Sequence, residues 1–329
     1  YGGPWEVMRI LGTVPLEDDG SAMFRIPANT PVAVQALDSE GRAVQLMRSW
    51  FTAMPGEVLS CVGCHESGGD VAPFTSAIAA RRQACEITPW RGPPRGFDFA
   101  REVQPVLDKY CVSCHDGSKA RLDLRPAEKA AGYKGKLLSE LGVERMYPAM
   151  LADTQGFVKY SPAYDALIHY IRRVGMEDDI SMLTPGEYFT ETSELFQMLR
   201  KGHGGVRMDA DAWDRLATWI DLNGPCHGTW GEVYPIPNGG RERRMALRAM
   251  FDGPDDDSEV VPDLPHLPDE PVAPGPPPGP QSENRPRQSA SLHGGPRSVV
   301  ADGWPFDGER ARQIQAECGP REMTLDMGY

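Results

Sequence analysis

Two identical spacings, Cys61-Val62-Gly63-Cys64-His65 and Cys111-Val112-Ser113-Cys114-His115, constrain this 329-residue chain more than any other feature. Two thiols three positions apart, followed at once by an imidazole, match the attachment pattern of a c-type haem. The thiols reach the two vinyl groups on one edge of a porphyrin, and the next residue sets its imidazole beneath the iron. The motifs therefore predict two covalently attached haems. Cys61 and Cys64 supply the thioethers of the first, and Cys111 and Cys114 those of the second, with His65 and His115 as proximal iron ligands.

Paired cysteines have other uses, as zinc hooks, redox disulfides or structural bridges. The two hooks of a four-cysteine zinc site usually lie within about 15 to 20 residues, whereas the second motif here starts 50 residues after the first. Histidine is also scarce, at 7 in 329. Chance would put it at a given position about 2% of the time, and behind both motifs about 0.05% of the time. Covalent haem attachment takes place outside the cytoplasmic membrane of a bacterial host, so a periplasmic or otherwise exported location is expected. The chain opens Tyr1-Gly2-Gly3-Pro4-Trp5, with no initiator Met and no apolar signal core, and any export signal is expected upstream.

The second iron ligands are open. Lys201-Gly202-His203-Gly204-Gly205 places a histidine among glycines, where the backbone can approach a flat cofactor, and His203 is the leading distal ligand for the second haem. The bland alternative is a solvated loop histidine after a helix C-terminus. Met208 would give a higher-potential His/Met iron, and His169 is a further alternative. The first motif has no comparable candidate, since Met54 and Tyr110 are close only in sequence; an open, five-coordinate first haem would be a site for chemistry. Cys85 and Cys226 could bridge in an exported protein.

The surroundings read as α+β. Short runs at 7–11, 22–26, 32–37 and 43–47, bounded by turns such as Asp18-Asp19-Gly20 and Asp38-Ser39-Glu40-Gly41, predict a small antiparallel β unit. After Gly96 the period becomes helical. Val103, Val106, Leu107 and Tyr110 precede Cys111, with Pro105 in the first turn. Ser161-Pro162 opens a second helix that runs to about Gly175, and a third covers about Thr192 to Lys201. Asp209 caps a fourth, with Trp213, Leu216, Ala217 and Ile220 as its stripe and Gly224-Pro225 as its end. From 254 to 296 lie 12 of the 31 prolines, a composition that predicts a disordered or polyproline-like linker. The expected division is 1–95, β-rich with the first motif; 96–250, a helical cytochrome c domain with the second; 251–300, linker; and 301–329, the start of a truncated downstream domain.

Charge and hydropathy exclude other classes. With 34 basic against 47 acidic residues and no clustered Lys/Arg face, the chain is not expected to bind nucleic acid. Eight of the acidic residues fall between Phe251 and Pro271 without a Lys or Arg, so the net charge of −13 belongs mostly to the linker. No run of about 18 apolar residues predicts a membrane span. Neither G-x-S-x-G, H-E-x-x-H nor a Walker-type loop is present.

The stretch from Asp19 to Glu66, with Asp19-Gly20-Ser21-Ala22, Gln35-Ala36-Leu37-Asp38, Met47-Arg48-Ser49-Trp50, Pro55-Gly56-Glu57 and Ser60 through Glu66, resembles the hydrazine synthase alpha-subunit middle domain of planctomycete-type multi-haem proteins. Val103 through Asp116, Met198 through His203, and Trp213 through Asn223 resemble a following cytochrome c domain. The resemblance covers about residues 5 to 235. It implies one haem on a mostly β domain and a second, bis-histidine haem on a helical one, pairing His115 with His203. Hydrazine synthases have a tyrosine iron ligand shortly after the first motif, with the motif histidine diverted to a metal. Glu66-Ser67-Gly68-Gly69-Asp70 holds no Tyr, so that ligand does not carry over. Gly303-Trp304-Pro305-Phe306 and Arg321 through Gly328 are similar to the entry of a formylglycine-generating-enzyme-like domain.

The expected function is a dihaem electron-transfer module of an exported multi-domain protein, exchanging electrons with a redox partner protein or a small-molecule donor or acceptor. The alternatives are a haem redox enzyme acting on a small nitrogen or oxygen species at an open first haem, and a structural adaptor for a downstream catalytic domain.

Overall fold

The computed structural model describes residues 7–47, 49–62, 76–118, 122–126, 160–174, 184–233, 236–251, 253–262 and 324–325. Within them, short helices pack around an aromatic core and small two-stranded antiparallel sheets flank it, a mixed α+β arrangement. No helix among the described residues is long and apolar enough to cross a membrane.

The β part is less regular than alternation suggests. β1 (Arg9–Ile10) pairs with β5 (Arg95–Gly96). β2 (Gln35–Leu37) pairs with β3 (Ala43–Leu46) around the Asp38–Gly41 turn, with an irregular register at Ala36/Leu37. β4 (Cys61–Val62) pairs with β6 (Thr324–Leu325). The run expected as a strand at 22–26 forms isolated bridges at Ala22 and Phe24 instead of a continuous strand, the latter parallel to Cys85, and Val32 bridges Phe51. Most backbone groups here are satisfied by loop contacts, such as Asn29 N–H to Ala53 O at 2.7 Å and Thr13 N–H to Thr88 O at 2.9 Å.

The helical part begins with a π turn, Phe99–Val103, which Asp98 caps by accepting from Arg101 N–H at 2.8 Å. It runs directly into α1 (Gln104–Tyr110), with Pro105 in the first turn, where its missing N–H costs no hydrogen bond. Ser161 caps α2 (Pro162–Leu167) through Tyr164 N–H at 3.2 Å. That helix is shorter than expected, because after a 3₁₀ turn to Tyr170 the chain becomes extended at Ile171. α3 spans Glu194–Arg200, and α4 spans Ala210–Asp221 with Asp209 as its cap. Asn223 and Gly224, at φ +68° and +71°, terminate α4, and Asn223 bonds both backbone groups of Val174.

Phe99, Tyr164 and Trp219 meet edge-on at the centre, with centroids 5.1 to 6.2 Å apart. The buried polar ends of two of these are matched: Tyr164 OH donates to Gly224 O and Trp219 Nε1–H to Pro225 O. Val103, Val106, Leu107, Leu195, Leu216 and Ile220 fill the space around them. Beyond α5 (Trp230–Val233) lies α6 (Gly240–Met250), a helix not foreseen from the sequence, none of whose residues is buried. The acidic run at the expected start of the linker lies against it: Arg241 pairs with Asp257, Arg244 with Glu259 and Arg248 with Asp256. Residues 263–323, which hold most of the expected linker and the tail motifs, lie outside the described residues.

Asp221, at the end of α4, ties the two parts together. Its carboxylate accepts from Ala43 N–H of β3 at 2.8 Å and from Thr190 N–H and Oγ1–H at 2.9 and 2.7 Å. Burial, opposed by these donors, pushes its pKa up to about 6. The folded chain therefore holds a proton on Asp221 that the unfolded chain has released, and this contribution to stability declines as pH rises from 3.8 to about 6. Urea unfolding should show Asp221→Asn losing that part of the pH slope, and Asp221→Ala, which strands buried N–H groups, should cost roughly 3 kcal/mol.

Candidate functional site

The second motif continues α1 as a tightened helical turn. Cys111 N–H donates to Leu107 O, Cys114 N–H to Cys111 O and His115 N–H to Cys111 O, at 2.8 to 3.0 Å. Leu124 N–H donates to His115 O, and an Asp116–Asp123 bridge closes the loop behind it. Cys111 is half-buried, Cys114 is exposed, and neither is in a disulfide.

This placement bears on the alternative uses of the motif. Redox C-x-x-C pairs are acidified at helix N-termini. Here the thiols follow the C-terminal end of a helix, where the dipole opposes a thiolate. Burial, with Cys114 adding to it, pushes the Cys111 thiol up to about 11. The one set of three or more His, Cys, Asp or Glu ligand atoms within 4.8 Å of one another among the described residues is Asp98, His227 and Glu232. Cys111, Cys114 and His115 do not form such a set.

His203 lies on the loop after α3. α3 ends at Arg200, and the loop then turns through Gly202, Gly204 and Gly205 at φ +94°, +59° and +76°. A Cβ at Gly204 or Gly205 would meet nothing within 4 Å. The left-handed dihedrals favour glycine there. The loop sets the half-buried His203 ring 5.8 Å from that of His115, with the planes 26° apart. With metal–nitrogen bonds of ~2 Å, two imidazoles on opposite sides of one metal have centroids about 6 Å apart. The residues therefore fit a c-type haem with His115 and His203 as axial ligands.

A carboxylate fixes this separation. Asp209, which caps α4 six residues after His203, accepts from Tyr110 OH at 2.7 Å and from Lys109 Nζ at 3.1 Å. Tyr110 and Lys109 immediately precede Cys111, so the clamp joins the root of the motif to the end of the His203 loop. Burial of Asp209 works against its charge, but Ala212 N–H, Tyr110 and Lys109 outweigh it and hold the carboxyl below its usual range. Asp209 was legible in the sequence as a cap; its partnership with Tyr110 carried no sequence signal.

The other candidates fall elsewhere. Met208 is buried in the hydrophobic core. His169 is exposed, on the 3₁₀ turn after α2. Of the first motif, Cys61 is half-buried on β4, and its burial raises the thiol pKa; Cys64 and His65 lie outside the described residues. Cys85 and Cys226, weighed as a bridge, are both free thiols.

Residues 2–66 match the family model described as hydrazine synthase alpha subunit middle domain. Hydrazine synthase subunit alpha of Kuenenia stuttgartiensis is 22% identical to this chain over 250 residues. That match takes in 60% of this chain and 27% of the relative, so the chain spans well under half the length of the curated protein it matches. No solved structure matches the chain.

Removing the clamp should be measurable. Asp209→Ala should lower stability by about 1–2 kcal/mol in urea unfolding at neutral pH. Because the carboxyl is held below its unfolded value of 3.8, the gap between wild type and variant should persist above that pH. It should close as pH falls through the lower, folded value.

Proposed function

We propose that this chain is a dihaem c-type electron-transfer module of an exported multi-domain protein. The observation that carries this reading is the apposition of His115 and His203 across a glycine-turned loop, at the separation two axial imidazoles require. Cys111 and Cys114 would hold the second haem, with His115 and His203 as its axial ligands; Cys61, Cys64 and His65 would hold the first. When bound, such a haem supplies a one-electron iron couple.

The chain's own residues set the conditions of that transfer. His115 and His203 would hold the iron between them, and the Asp209 clamp ties the root of the motif to the end of the His203 loop. Ser113, Cys114 and Asp116 are exposed, so the turn that would carry the haem is open to a redox partner protein or small-molecule donor. Cys111, on the opposite side of the turn, packs against the core.

A second reading rests on the first motif. The match to the hydrazine synthase alpha middle domain runs to residue 66, one past His65. An open first haem acting on a small nitrogen or oxygen species would make this an enzyme, with the second haem as its relay. Carbon monoxide that shifts one of two reduced spectra supports this reading, and two inert six-coordinate spectra reject it.

Expression with haem-maturation genes, followed by intact mass and a pyridine haemochrome assay, should give two covalent haems per chain. None would overturn the proposal. His203→Ala should convert one low-spin haem to high-spin, and an unchanged spectrum would remove His203 as a ligand.

A further inference from the structure

A second cluster of donors lies outside the histidine pair. Residues 96–101 and 226–232 run side by side because two glycines permit it: a Cβ on Gly96 would collide with the carbonyl oxygen of Gly228. Phe99 N–H donates to Cys226 O at 3.0 Å and fixes the register. This close approach brings Asp98, the cap of the π turn, against His227 and Glu232, with their ligand atoms within 4.8 Å of one another.

The two carboxylates are oriented alike. One oxygen of each is held by backbone: Asp98 Oδ1 accepts from Arg101 N–H at 2.8 Å, and Glu232 Oε2 accepts from Gly228 and Thr229 N–H, both at 3.0 Å. The other oxygen of each faces the guanidinium of Arg101, at 3.7 Å for Asp98 Oδ2 and 3.2 Å for Glu232 Oε1. Two further atoms at this place, His227 Nε2 and Arg101 Nη2, are buried with no hydrogen-bond partner. Buried polar atoms without partners are rare in folded proteins, and coordination of an ion is one way a buried imidazole nitrogen is satisfied.

We propose that Asp98, His227 and Glu232 form a binding site for a divalent transition-metal ion, with Arg101 occupying the cation's place until the ion binds. Imidazole nitrogen and carboxylate oxygen are the donors that zinc-like ions take, and three protein ligands leave a fourth position to water. A tetrahedral site with bonds of ~2.1 Å spaces its donors ~3.4 Å apart, a spacing inside the 4.8 Å within which these ligand atoms lie. The charge balance favours this: two carboxylates face one guanidinium. Arg101 is a third exposed along its side chain and can swing to solvent. The ion would pin the start of the π turn to the segment leading into α5, independently of whether haem occupies the Cys111 turn.

The test uses the full chain in haem-loaded form with Zn²⁺ alone, followed by dialysis and elemental analysis against haem iron. One zinc per chain is expected in the wild type and none in Glu232→Gln, an isosteric change at a partly exposed position. His227→Ala should also lose zinc while its haem spectrum stays native, which separates loss of the site from loss of the fold. Arg101→Ala should bind zinc at least tenfold more tightly, because the competing charge is gone. Co²⁺ should give ligand-field bands without thiolate charge transfer. A thiolate band, zinc retained by both His227→Ala and Glu232→Gln, or no zinc in either wild type or Arg101→Ala would overturn the assignment.

Discussion

Glu102 is a full negative charge buried at the junction of three elements, 1% exposed, and the rest of the helical part is arranged so that it is never alone. Arg95 of β5 donates Nε–H to one carboxylate oxygen at 2.8 Å, and Arg215 of α4 donates to the other at 2.6 Å. Arg215 is in turn held by Asp211, which also pairs with Arg91. A buried charge stripped of one partner costs several kcal/mol. The β1–β5 pair, the π turn and α4 are therefore fixed against one another, and α1 inherits its position from them. The geometry of the Cys111 turn is set from behind, by ion pairs that touch neither cysteine nor His115.

The acidity of the chain looks different once these pairs are traced. Asp256 meets Arg9 and Arg248, Asp257 meets Arg241, and Glu259 meets Arg244 while accepting from Gly231 N–H at 2.9 Å. Several of the acidic residues that dominate the net charge are thus matched by arginines of a helix that has no buried face. Exposed pairs contribute little singly, but here they form a continuous set that holds α6 in place, together with the contact of Asn29 to Phe251 O.

What could be read from the sequence was what is local. Ser161-Pro162, Asp209 and Pro105 each announce a helix start because a cap acts within one turn, and all three lie where the pattern puts them. The C-x-x-C-H spacing and the glycines around His203 are also short-range signals, and the fold places the two histidine rings they mark 5.8 Å apart. What could not be read was pairing across distance. Arg215 and Glu102 are separated by 113 residues, and nothing in either neighbourhood names the other. The run at 22–26 reads like a strand, yet it forms isolated bridges at Ala22 and Phe24 and no continuous strand, since strand formation depends on a neighbour that the local text does not contain. Helix α6 was not read from the sequence either: its residues favour a helix, but it buries none of them.

The π turn at Phe99–Val103, where Gln104 N–H reaches back to Phe99 O, amounts to one residue more than an α-helix would use over the same rise. Each residue advances a helix by about 100°. The turn thus works as a phase shifter, setting the azimuth at which α1 delivers its last residues. A chain one residue shorter in this stretch would keep every cysteine and histidine and the same hydrophobic periodicity. It would nonetheless present the Cys111–His115 turn about a quarter-revolution away from the loop that carries His203.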